Sequence, residues 1–144
     1  KRDFNRKMRE KLSAFIDRLK SGDYTFESND FREISDEDWN DKTFVYVDPP
    51  YLITCATYNE QDGWNEELEK ELLNYLDKLN DRGIRFALSN VLQSKGKENK
   101  LLLDWVNRNI GRYRVIYLDY TYANSNYHTK DRTSKTDEVL IVNY

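Results

Sequence analysis

One cysteine, one histidine, two prolines and five glycines are all that 144 residues contain of these types, and each scarcity excludes something. A single thiol, Cys55, forms no internal disulfide, so nothing calls for an oxidising compartment, and the residue reads as a small packing side chain. A single histidine, His128, leaves no pair for a histidine metal site or a catalytic dyad. It reads as a solvated loop residue, and no metal cluster is visible in the sequence. No apolar run approaches the length of a membrane span and no signal-peptide pattern opens the chain, so the cytoplasm is the expected location. An excess of positive charge is missing too. The net charge is −3 and the pI about 5.3, which argues against a protein that coats nucleic acid by electrostatics alone but not against one local basic patch.

What is present suits a soluble domain with a real core. Hydrophobic residues make up 38% and charged residues 34% of the chain, a balance that gives a packed interior and a solvated surface. Aromatic residues reach 14%, with eleven tyrosines, concentrated near residues 48–51 and again at 113–127. Most such tyrosines serve a core or an interface with a polar tip, and a few suit stacking on bases.

The hydrophobic period divides the chain into elements. Phe4, Met8, Leu12, Phe15, Ile16 and Leu19 fall at helical spacing with basic residues between them, predicting an amphipathic helix ended by Ser21-Gly22. Residues 24–26 form a short strand candidate. Thr43-Phe44-Val45-Tyr46-Val47 is an unbroken β-forming run, which predicts a strand buried on both faces. Leu68, Leu72, Tyr75, Leu76 and Leu79 predict a helix over residues 65–80, with Gly83 as its left-handed cap. Further strands are expected at 84–88, 113–118 and 139–142, and a helix at 99–109 closed by Gly111. Alternating helices and strands imply an α/β layered sheet of largely parallel order. In such sheets ligands bind beyond the carboxyl ends of the strands, and that rim is where Asp48-Tyr51 and Ser89-Asn90 are expected to meet.

Asp48-Pro49-Pro50-Tyr51 carries the chemistry. Two prolines cannot donate to a ladder, so they force a stiff, extended corner out of the sheet. The Asp48 carboxylate and the Pro49 carbonyl are two acceptors, and Tyr51 adds a flat aromatic face. Together they make a receptor for a planar –NH2 group, such as the exocyclic amine of a nucleobase that has left the stack. Ser89-Asn90 reads equally well as a capping or turn pair and as part of that site. Trp64 reads as a packing residue holding the loop after Tyr51.

Asp48-Pro49-Pro50-Tyr51 resembles the catalytic motif of S-adenosylmethionine-dependent amino methyltransferases. With Tyr58-Asn59-Glu60, Trp64, Phe86-Ala87-Leu88-Ser89-Asn90, Lys95-Gly96-Lys97 and the closing Thr136–Tyr144 segment, the chain from about Tyr24 onward resembles the Dam-type, D12 class DNA adenine-N6 methyltransferases. The resemblance implies methyl transfer from S-adenosylmethionine to the N6 amine of a flipped adenine in double-stranded DNA, in a modification or restriction-protection role. Cytosine N4 is an alternative target within the same chemistry. A truncated remnant that binds DNA or a partner subunit without catalysis is the alternative outside it. Asp48, Pro49, Pro50 and Tyr51 would be the catalytic group. Asp30, Phe31 and Asp48 would meet the cofactor, although an acid beside a core phenylalanine is an equally plain reading of the first two. Tyr51, Asn126 and Tyr127 would line the target-base pocket. Lys95, Lys97, Lys130 and Arg132 would contact DNA phosphates, or else be ordinary solvated loop charge.

The same resemblance implies a Rossmann-like methyltransferase sheet of order 3-2-1-4-5-7-6, here incomplete. The family's Phe-x-Gly-x-Gly cofactor loop does not occur among glycines 22, 63, 83, 96 and 111. The first two strands and most of the recognition domain are therefore expected to lie outside this chain. Residues 1–22 would lead from that recognition region, and residues 23–144 would be the C-terminal part of the catalytic domain. Residues 24–26 would be strand 3 and 43–47 strand 4. The edge of strand 4 would then be open and hydrophobic, inviting self-association or pairing with an N-terminal half. The fragment alone is expected to be inactive.

Overall fold

The computed structural model describes residues 4–54, 63–118 and 136–144. The chain divides into two compact units, Lys1–Ile34 and Ser35–Tyr144. In the first unit, helix α1 spans Arg6–Ser21. Asn5 caps it by accepting from the Met8 amide at 3.0 Å, and Arg18 and Lys20 lie in its last turn, where cations complement the helix dipole. The expected strand at 24–26 does not form. Those residues have no ladder partner among the described residues, and a three-residue strand depends wholly on one. A single 3₁₀ turn, Phe31–Glu33, follows.

The second unit holds the sheet. Strand β1 is Phe44–Val47 and helix α2 is Glu66–Asp81. Strand β2 is Arg85–Ser94 and its hairpin partner β3 is Lys97–Glu98. Helix α3 is Lys100–Arg108, and strands β4 and β5 are Arg114–Tyr117 and Thr136–Val142. The order is β1-β2-β5-β4, with β3 attached to β2. β1 pairs parallel to β2, whereas β2 with β5 and β5 with β4 pair antiparallel. The expectation of a largely parallel sheet is corrected accordingly: β1, β2 and β4 share a direction, and β5 runs against them. Helix α2 is the crossover that lets β1 and β2 run parallel.

Local chemistry explains the boundaries. Asn65 caps α2 by accepting from the Glu67 and Leu68 amides at 3.0 and 2.9 Å. At its other end Gly83 (φ +74°) donates to Asn80 O and Ile84 to Leu79 O. This paired 5→2 and 6→1 closure satisfies the last carbonyls and seals Leu79 against Ile84, both fully buried. The loop expected at Lys95-Gly96-Lys97 is instead a two-residue hairpin turn. Ser94 pairs with Lys97, and Lys95 (φ +50°) and Gly96 (φ +76°) both take the left-handed backbone that a type I′ turn needs.

Phe86, Leu88, Leu76, Leu79, Leu102 and Trp105 are among the residues that fill the core. Each full burial of such a side chain is worth about 1.5–3 kcal/mol. Trp105 and Tyr113 stack at 4.8 Å and Tyr113 meets Phe86 edge-on at 5.3 Å. Their polar tips converge on Asp77, which accepts from the Tyr113 hydroxyl at 2.6 Å and from the Trp105 indole at 3.1 Å.

β1 corrects one further expectation. Its apolar run is not buried on both faces, since Phe44 and Tyr46 are 51% and 59% exposed. Within the described residues the strand pairs on one side only, so it forms an edge of the sheet. No helix among the described residues is long and apolar enough to cross a membrane.

Candidate active site

The parallel register builds the site. Tyr46 lies beside Ala87 and Val47 beside Leu88, so the next residue along, Asp48, leaves the sheet next to Ser89. Because side chains alternate between faces, Tyr46, Asp48 and Ser89 share one face. Asn90 points to the other face, where it reaches Glu69 of α2. β1 stops at Val47 because Pro49 and Pro50 have no amide hydrogen for a ladder, while β2 continues for six residues past its last pairing with β1. The expectation that Ser89-Asn90 ends a strand is therefore corrected: both lie inside β2. Their alignment with the end of β1 puts Ser89 at the rim.

Asp48 is exposed, yet its carboxylate is held. Ser89 Oγ donates to Asp48 Oδ1 at 2.7 Å, and the Tyr51 hydroxyl donates to the same oxygen at 3.1 Å. Tyr46 donates in turn to Ser89 Oγ at 3.2 Å. Ser89 also lies 3.4 Å from the Val47 carbonyl, but it has one proton, and the shorter, charge-assisted bond takes it. Asp48 Oδ2 accepts no hydrogen bond among the described residues. Burial raises the Tyr51 hydroxyl to about 12; the neighbouring Ser89 pulls the other way, and the nearby Asp48 and Glu138 push it further up. At neutral pH Tyr51 is therefore a fixed, protonated donor. A turn closed by Thr54 N to Tyr51 O at 3.1 Å sets the backbone after it.

On the opposite face a fully buried carboxylate braces the same region. Glu69 Oε2 accepts from the Trp64 indole at 2.5 Å, and Oε1 accepts from Asn90 and Asn99, both at 3.1 Å. Asn99 also caps α3 through the Leu102 amide. Trp64 is thus tied to Glu69 of α2, which in turn accepts from β2 and from the cap of α3.

Lys95 and Lys97, with Lys100, border a cavity of about 560 Å³ that is also lined by Leu52, Ile53 and Thr54. Glu66 and Glu98 lie on the same walls. The basic hairpin and the segment following Tyr51 are therefore neighbours. Asn126, Tyr127, Lys130 and Arg132 lie outside the described residues, as do Cys55, Tyr58-Asn59-Glu60 and His128.

Asp30 and Phe31 belong to the first unit. Asp30 caps the 3₁₀ turn, and Arg32 occupies both of its carboxylate oxygens, Oδ1 through Nε and Oδ2 through Nη2, each at 2.8 Å. That guanidinium holds the Asp30 carboxyl down at about 2, and it also lies 6.0 Å from the Phe31 ring.

Sequence reasoning missed Tyr46, the part played by Ser89, and Glu69. A tyrosine in a β run and a glutamate in a helix look like ordinary tenants, and only the strand register shows what they touch.

The rim presents a carboxylate oxygen that none of the described residues occupies, beside a proline-held corner and a phenol. Residues 1–132 match the family model of D12 class N6 adenine-specific DNA methyltransferases, and the chain belongs to that family. It is 45% identical to the modification methylase StsI of Streptococcus sanguinis over 98% of this chain. Over 98% and 90% of the chain it is 39% identical to the type II methyltransferase M.FokI of Planomicrobium okeanokoites and 35% identical to the modification methylase LlaI of Lactococcus lactis subsp. lactis. The chain spans about a fifth of the length of these relatives, 22% in each case.

Proposed function

We propose that this chain supplies the amine-binding half of an enzyme that methylates adenine N6 in DNA, in a modification role within the cytoplasm. The observation that carries the reading is the divided carboxylate of Asp48. One oxygen is committed to Ser89 and Tyr51, and none of the described residues takes the other, at a proline-stiffened rim.

An adenine amine is a poor nucleophile because its lone pair is delocalised into the ring. Hydrogen bonds from its two N–H groups to Asp48 and the Pro49 carbonyl favour the pyramidal nitrogen that frees the pair. They strengthen as positive charge develops on N6, so they stabilise the transition state more than the ground state. Tyr51 stacks on the extruded base, worth roughly 1–3 kcal/mol. Pro49 and Pro50 keep the acceptors from relaxing away. Once methylated, the ammonium is acidic and releases its proton without a strong base. S-adenosylmethionine supplies the methyl group when bound. Asp48 would border it, and Asp30 and Phe31 would meet its adenine ring. Asn126 and Tyr127 are the proposed second wall of the base pocket, and Lys95, Lys97, Lys130 and Arg132 the proposed phosphate contacts on duplex DNA.

The order β1-β2-β5-β4, with one reversed strand, supports reading this sheet as the 4-5-7-6 portion of a Rossmann-like methyltransferase sheet. On that reading residues 1–22 lead from a recognition region and 23–144 belong to the catalytic domain. The open edge of β1 would receive a strand from elsewhere in the protein or from a second copy. The test is to incubate the intact protein with duplex DNA and methyl-labelled cofactor, then digest to nucleosides. N6-methyladenine is expected; label on cytosine, or none with folded protein, would refute the assignment.

A further inference from the structure

We infer that Ser89 is a positioning residue for methyl transfer, acting by assigning the two oxygens of Asp48 to different tasks. The inference deepens the reading of Asp48 as the amine acceptor and rests on it.

A free aspartate at an exposed rim rotates about its side-chain bonds and offers either oxygen to solvent. Here that freedom is removed by a relay. Tyr46 donates to Ser89 Oγ at 3.2 Å, which engages a lone pair of that oxygen and directs its proton outward. Ser89 then donates to Asp48 Oδ1 at 2.7 Å. Tyr51 adds the second bond to Oδ1 at 3.1 Å. Two bonds on one oxygen fix the carboxylate plane and leave Oδ2 as the acceptor for an incoming N–H. Ser89 is nearly buried, at 8% exposure, and sits in a central strand paired on both sides. Its hydroxyl is therefore a more rigid reference point than any group on the loop. Among the described residues, Tyr46 of β1 and Tyr51 of the following loop stand next to this relay and carboxylate, and Glu138 of β5 acts on Tyr51 from further away.

The test uses the intact protein and single-turnover methylation of duplex DNA, with Asp48→Ala as the reference. Ser89→Thr and Ser89→Val have the same shape and differ in the donor alone, so they separate the hydrogen bond from packing. Ser89→Thr is expected to stay within a few-fold of wild type. Ser89→Val is expected to lose roughly tenfold to a hundredfold in the methylation rate, the loss expected for a missing hydrogen bond to a charged group, with DNA and cofactor affinities unchanged. Equal rates for Ser89→Thr and Ser89→Val, or weakened DNA or cofactor binding in Ser89→Val, would overturn the inference. If Asp48→Ala itself methylates at the wild-type rate, the amine-acceptor reading falls instead, and the two failures are distinct.

Discussion

Two carboxylates brace the same strand from opposite faces and end up with opposite characters. Glu69 is fully buried and both its oxygens are taken, by Trp64 on one side and by Asn90 and Asn99 on the other. Asp48 is exposed at the rim, with two donors crowded onto one oxygen and none of the described residues on the other. A buried anion must be saturated, because each missing bond there leaves desolvation uncompensated. An anion at the rim can leave an acceptor open, because water satisfies it until a ligand arrives. Saturation makes structure, and a held but unfinished hydrogen-bond set makes a binding site.

The contrast breaks most visibly at Glu69. Glu69→Ala strands three donors in the interior, and at about 1–3 kcal/mol for each unsatisfied group the loss of stability should approach 4 kcal/mol. Urea denaturation reads it as a lowered midpoint. Asp48→Asn should do the reverse. Its stability should stay within about 1 kcal/mol of wild type, while the methylation rate falls by about 10²–10³, the usual effect of losing a charge-stabilising group. A large stability loss at Asp48 with little effect on rate would erase the distinction.

A smaller effect sharpens the comparison through pH. Burial raises Tyr113, with a hydrogen bond to Asp77 adding to it, and burial also raises Tyr75 and Tyr51, the last to about 12. An unfolded tyrosine ionises near pH 10. Raised folded values therefore contribute stability that is complete below about pH 10 and is lost as pH climbs toward 12. Denaturation midpoints measured across that window should fall. Tyr113→Phe should flatten the decline more than Tyr51→Phe, since the interior tyrosine is shifted further.

The sequence showed the helices clearly and the site only in part. Leu72, Leu76 and Leu79 mark the inner face of α2 by spacing alone, and Asn65 and Gly83 mark its ends, because caps and periods are local properties. Asp48-Pro49-Pro50-Tyr51 was legible for the same reason, since two prolines after a β run break any ladder. Pairing was not local and was misjudged. An apolar run at 43–47 looks identical whether the strand has one neighbour or two, and among the described residues 24–26 have no ladder partner. Lys95-Gly96 reads as a loop until strands close around it. The part Ser89 plays follows from register, because one residue of slip in β2 would turn it to the other face and bring Asn90 to the rim.

The most direct test is a crystal structure of the intact protein on duplex DNA with the target adenine extruded. The account predicts N6 about 3 Å from Asp48 Oδ2 and from the Pro49 carbonyl, a hydrogen-bonding distance, with Ser89 still donating to Oδ1 and the Tyr51 ring against the base. An adenine bound elsewhere on the domain, or an N6 that displaces Ser89 from Oδ1, would contradict it.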